Sequence, residues 1–168
     1  NSLAFENIKN VPSYKVFKVS DRTFAFNDVM LGDSTAYLMS LFPSAEVNYE
    51  ISGNYIAGYD LTAQHGDFHG KFDKEERLYE FTFTLRKEGI SFTETLEGFV
   101  SFYGTPVLKG TTLEHDLDPN NKLSSGSYIW KFQSGAYLTL TIDTTKNDNV
   151  TVKMVDISQA EQAAKDLA

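Results

Sequence analysis

The residue types best suited to chemistry lie together in Gln64-His65-Gly66-Asp67-Phe68-His69-Gly70. Read as an extended strand, its two-residue period puts His65, Asp67 and His69 on one side. Two imidazoles and a carboxylate are a ligand set for zinc or non-haem iron, so a metal-dependent enzyme centred on these three residues is one reading of the chain. Ligands only two residues apart converge on one ion only across a bulge, and no fourth ligand or general base is evident. The competing reading is a glycine-bracketed connection with solvated imidazoles. Asp116, Asp118 and Asn120 have the opening rhythm of a calcium loop. The sixth position is Asn121 where glycine belongs and the twelfth is Ser127 where glutamate belongs, which excludes an EF-hand and leaves an irregular calcium loop or an Asx-rich turn. Glu114-His115-Asp116 beside it reads as a solvated polar run.

Nucleophile motifs are missing: the chain has no cysteine, no G-x-S-x-G elbow, no P-loop and no G-x-G-x-x-G following a strand. The carboxylate pair Glu75-Glu76 falls within Asp73-Lys74-Glu75-Glu76-Arg77 and reads as a charged hairpin tip rather than a general acid and base. The balance therefore points to binding without catalysis and without a cofactor. Aromatic residues are the better currency for that. Tyr49, Tyr55, Tyr59, Phe68, Phe72, Tyr128, Trp130 and Tyr137 all fall in strand-like segments. A sheet with Tyr and Trp on an open face offers rigid amphipathic contact area at low entropic cost. Most of these rings must be core, but Trp130, Tyr128, Tyr137, Tyr55 and Tyr59 are the candidate binding residues, Trp130 first among them.

Elements that would position these groups recur in a tandem order. Phe24 to Leu31 reads as a strand leading through Gly32 into a helix capped by Asp33, with Tyr37, Leu38, Leu41 and Phe42 on one face and Pro43 as its stop. Val47, Tyr49 and Ile51 alternate with Glu46, Asn48 and Glu50, which predicts a strand with one wet face; Gly53-Asn54 turns the chain into a second strand from Tyr55 to Leu61. Arg77 to Arg86 alternates most clearly. Ser91 and Glu94 then form a capping box for a helix with Leu96, Phe99, Val100 and Tyr103 on its packed stripe, ended by Gly104 and Pro106. Residues 109–126 read as one long irregular loop. Strands follow over Tyr128 to Phe132, Tyr137 to Ile142 and Val150 to Ile157, and Ser158 with Glu161 caps a final helix.

Runs of strands punctuated by helices predict an α+β fold: an antiparallel sheet of about seven or eight strands, two short helices on one face, and a C-terminal helix. The expected organisation is a single domain of two related halves, about 24–88 and 89–157, with an N-terminal arm at 1–22 and a C-terminal helix at 158–168. The 168 residues carry a net charge of −8, with 9 basic and 13 acidic residues through Glu88 and 6 and 10 after it. Scattered cations cannot displace counterions from phosphate, which argues against nucleic acid and anionic membrane surfaces as partners. No apolar run approaches the roughly 20 residues that cross a bilayer, which predicts a soluble chain. An opening at Asn1 without Met points to a signal peptide or lipidated cysteine upstream.

The order of a helix, then Leu41-Phe42-Pro43 or Tyr103-Gly104-Thr105-Pro106, then an antiparallel meander, occurs twice. It resembles the tandem-repeat β-lactamase-inhibitor proteins and the small outer-membrane-assembly lipoproteins of bacteria. The residues carrying the likeness are Leu31-Gly32-Asp33-Ser34 into the first stop and Phe92 to Phe102 into the second. The disulfides usual in the inhibitor are absent. The resemblance implies a periplasmic, cell-surface or secreted module that binds other proteins or envelope components. The sequence reading is accordingly a non-enzymatic binding module for a protein or glycan, recognised on an aromatic-bearing sheet face. The alternatives are the metal enzyme and a structural domain of a larger assembly.

Overall fold

Alternation in the sequence becomes a single antiparallel sheet. The computed structural model describes residues 28–86, 88–132, 135–145 and 149–168. In chain order the elements are α1 (Thr35–Leu41), β1 (Glu46–Ser52), β2 (Tyr55–Ala63), a 3-10 turn (Gln64–Gly66), β3 (Phe68–Asp73), β4 (Leu78–Arg86), α2 (Phe92–Tyr103), α3 (Leu113–Asp116), β5 (Ser125–Lys131), β6 (Ala136–Asp143), β7 (Asn149–Asp156) and α4 (Ile157–Leu167). The described strands form one seven-stranded sheet in the order β1-β2-β3-β4-β7-β6-β5, so the α+β class and the C-terminal helix are as the patterning predicts. The arm expected at 1–22 and the start of the strand expected from Phe24 lie outside the described residues.

Two compact units make up the chain. One comprises Val29–Thr84, Phe132–Leu138 and Val152–Ala168. Its core is a run of rings: Phe42, at the C-cap of α1, stacks on Phe68 with centroids 4.7 Å apart, and Phe68 lies equally close to Phe83. Register explains the row. Val47 stands opposite Leu61, Ala63 opposite Phe68, and Gly70 opposite Phe81, so these residues share one side of the sheet. The opposite side of the same strands carries Asp60, His69, Lys71 and Glu80 in polar pairs, His69 with Asp60 and Lys71 with Glu80.

Several local expectations shift here. Ser34, not Asp33, caps α1: its Oγ accepts from the Tyr37 N–H at 3.1 Å. Asp33 instead accepts from the Met30 N–H at 2.9 Å and turns the chain just before the helix. Over Asp28–Leu31 there is a turn with a lone bridging residue at Val29, not the end of a strand. At the other end, Asp156 rather than Ser158 caps α4, because its carboxylate reaches the Gln159 N–H from an extended residue at the end of β7.

The second unit contains Leu85–Lys131 and Thr139–Thr151. Ser91 caps α2 as predicted, accepting from the Glu94 N–H, and Gly104 ends it with φ at +89°, a value that glycine takes without strain. Phe92, Leu96, Phe99 and Phe102 are buried along the helix. The stretch 109–126 is less irregular than its composition implies. Thr112 accepts from the His115 N–H and starts the single turn of α3, and β5 has begun by Ser125.

Candidate functional site

The three candidate ligands do not assemble. His65 sits in the 3-10 turn with φ at +57°, a left-handed conformation that breaks the extended run on which the shared side depended. Asp67 is helical in φ and ψ, and β3 begins only at Phe68. His69 is on the strand, paired with the Asp60 carboxylate. Among the described residues no group of three or more His, Cys, Asp or Glu is placed to hold a metal ion. The second metal candidate resolves into hydrogen bonds of the chain itself. Asp118 accepts from the Asn120 N–H at 2.9 Å, an Asx turn.

Asp116, read from sequence as part of a solvated run, is 2% exposed. Its Oδ1 accepts from Thr111 Oγ1 at 2.7 Å and lies 2.9 Å from His115 Nδ1, while Oδ2 accepts from the Tyr128 hydroxyl at 2.7 Å. Its carbonyl oxygen accepts from Asn121 Nδ2 at 2.7 Å. Burial alone would raise the carboxyl pKa; the hydrogen bonds from His115, Thr111 and Tyr128, with the charge of His115, outweigh it and hold the group below its ordinary 3.8. A cleft of about 420 Å³ opens beside this network, lined by Lys109, Thr111, Asp116, Leu123 and the start of β5. Every oxygen of Asp116 faces a partner within the chain, so the network fastens the loop onto Tyr128 and leaves no carboxylate to act on a ligand.

Burial sorts the aromatic candidates. Trp130 is 3% exposed and donates from Nε1 to the Gly104 carbonyl at 2.8 Å, holding the end of α2 to β5. Tyr128 is 2% exposed, its ring edge-on to Phe92. These two are core, a correction to the expectation that they offer contact surface: α2 covers them, Phe92 lying against Tyr128 and Phe99 against Trp130. Tyr137 is half-buried on β6. Tyr55 and Tyr59 remain, and both lie on β2.

Around those two the surface is apolar. Four of the eight large hydrophobic residues exposed among the described ones, Tyr49, Ile51, Tyr55 and Ile56, fall on the β1–β2 hairpin. Tyr49 is opposite Tyr59, with rings edge-to-face at 5.6 Å, and Ile51 is opposite Ile56 across a bulge. Tyr59 is in turn opposite Phe72. The cross-strand row therefore runs from Phe72 at 0% exposed, through a half-buried Tyr59, to Tyr49 at 63%. The rings of Tyr49 and Tyr59 thus lie on the same side as the core, where the apolar layer outruns its cover at the sheet edge, while Tyr55, opposite Ser52, faces the other side. Glu46 and Asn48 are exposed as the expected wet face requires, but Tyr49 and Ile51 on the apolar side are exposed as well, and more so than Glu50.

The hairpin is braced. The Tyr55 hydroxyl donates to the Asp166 carbonyl of α4 at 2.8 Å, and Lys74 lies 3.6 Å from the Asp166 carboxylate. Sequence reasoning placed Tyr49 in a strand but missed Ile51 and Ile56 as surface residues. The available signal was the pair of glutamates alternating with them, which suits a strand at a sheet edge.

No protein-family model matches the chain, and no curated protein or solved structure matches it either. Among the described residues no helix is long and apolar enough to cross a membrane.

Proposed function

We propose that this chain is a non-enzymatic interaction module of the cell envelope or secreted fraction, and that it receives its partner on the β1–β2 hairpin. The observation that carries the reading is the concentration of exposed Tyr49, Ile51, Tyr55 and Ile56 on two paired strands, held in place by α4. Exposed apolar side chains gathered on one hairpin, Tyr49, Ile51 and Ile56 on one side and Tyr55 on the other, are characteristic of a recognition site, and a braced one loses little entropy on binding. Of the two partner classes, protein suits the patch better than glycan. Ile51 and Ile56 offer no hydrogen-bonding group to replace the water stripped from sugar hydroxyls.

Size-exclusion chromatography with light scattering, on the chain isolated gently from the cells that make it, tests this. The wild type is expected to elute with a second component, and a Tyr49→Ser, Ile51→Ser variant to elute alone. Identical profiles for the two would contradict the reading.

A further inference from the structure

We infer that β1 is completed by strand addition: an extended segment of another protein, with alternating apolar and basic side chains, pairs with its free edge. The inference deepens the hairpin reading and rests on it. In the sheet order β1 is terminal, and among the described residues it pairs with β2 alone. Among the described residues nothing pairs with the outer row of N–H and C=O groups of this seven-residue strand. Lysine and proline, which commonly blunt such edges, are absent from Glu46–Ser52. The other terminal strand, β5, is treated differently: Val107 bridges to Ile129, its N–H donating to the Ile129 carbonyl at 2.6 Å, so the chain itself starts to cover that edge.

Side-chain chemistry selects the occupant. Val47, Tyr49 and Ile51 point to one side of β1, and an added strand would extend that apolar row with its own alternate residues. Glu46, Asn48 and Glu50 point to the other side. Within the sheet of this unit, the carboxylates of Glu80 and Asp73 have cations, Glu80 with Lys71 and Lys153, and Asp73 with Arg77. Among the described residues Glu46 and Glu50 have none. Glu50 also acts on Tyr79: burial first, then the carboxylates of Glu50, Glu80, Asp60 and Asp73, push the Tyr79 pKa up to about 12. Lys or Arg directly opposite the glutamates would neutralise them. A second copy of this chain would instead bring the same two glutamates, and a net charge of −8, against their like.

The test uses three fluorescent nine-residue peptides and titration by anisotropy. The first alternates Lys with Val and Tyr; the second is the same peptide N-methylated at alternate residues, which removes its backbone donors; the third has Glu in place of Lys. The first is expected to bind, the second and third at least tenfold more weakly, and a Glu46→Lys, Glu50→Lys variant to prefer the third. Equal binding of the N-methylated peptide would overturn strand addition while leaving the hairpin as a side-chain contact surface. Absence of binding by any peptide, or a chain that dimerises through β1, would overturn the proposal as well. Loss of the first peptide's affinity in Tyr49→Ser, Ile51→Ser places it on the hairpin; unchanged affinity in that variant would overturn the hairpin reading itself.

Discussion

Two aromatic and acidic regions of this chain meet opposite fates. Around β5, Tyr128 and Trp130 are buried, and both carboxylate oxygens of nearby Asp116 are engaged, by Thr111, His115 and Tyr128. Along β1 and β2, Tyr49 and Ile51 stand in solvent and the neighbouring carboxylates Glu46 and Glu50 have no cation among the described residues. The difference teaches that aromatic content alone does not mark a binding face. What matters is whether a helix lies over the rings and whether the acids beside them are satisfied from within. A region that has closed on itself contributes stability; one that has not is available for recognition.

The largest effect should come from the closed region. Trp130→Ala removes a buried ring packed on Phe99 and leaves the Gly104 carbonyl at the end of α2 without its donor. Urea denaturation should show a loss of roughly 3–5 kcal/mol. A loss below about 1 kcal/mol would mean that Trp130 is not the core residue described. Next comes Tyr128→Phe, which strips a buried carboxylate oxygen of its donor and should cost about 2 kcal/mol in the same assay.

Asp116 sharpens the contrast through pH. Its native pKa lies below the ordinary 3.8 because of its three hydrogen-bonded neighbours, so its contribution to stability is full above the unfolded value and is lost as pH falls through the lowered native one. Acid titration of stability in Asp116→Asn should lack that part of the low-pH decline. The smallest effect on folding belongs to the open region. Tyr49→Ser with Ile51→Ser should change stability by no more than about 0.5 kcal/mol per site, since neither side chain is enclosed. A larger loss would show that the hairpin surface serves the fold.

Legibility in the sequence followed the physics of each signal. Two-residue alternation made β4 plain, and Ser91 with Glu94 announced α2, because both depend on neighbours close in the chain. The caps at Ser34 and Asp156 were each displaced from the residue expected, since an Asp and a Ser one or two residues apart compete for one role and only backbone geometry decides between them. The extended run that a His65, Asp67 and His69 ligand set requires is broken at His65, and nothing local announces that left-handed residue. Burial of Asp116 was invisible: it depends on Thr111, five residues earlier, and Tyr128, twelve residues later, folding onto one carboxylate. Exposure on β1 was equally hidden. A strand's place at the edge of a sheet is a property of the whole topology, and the residues of β1 register it only through Glu46 and Glu50.

The central claim is that the β1–β2 hairpin is the surface this chain gives to a partner. Its most direct test is a photoreactive amino acid placed in turn at Tyr49 and at Thr141, an exposed strand residue of β6, in the cells that produce the protein. Irradiation should give a discrete crosslinked species from position 49 and none from position 141. Crosslinking from both positions alike, or from neither, would contradict the account.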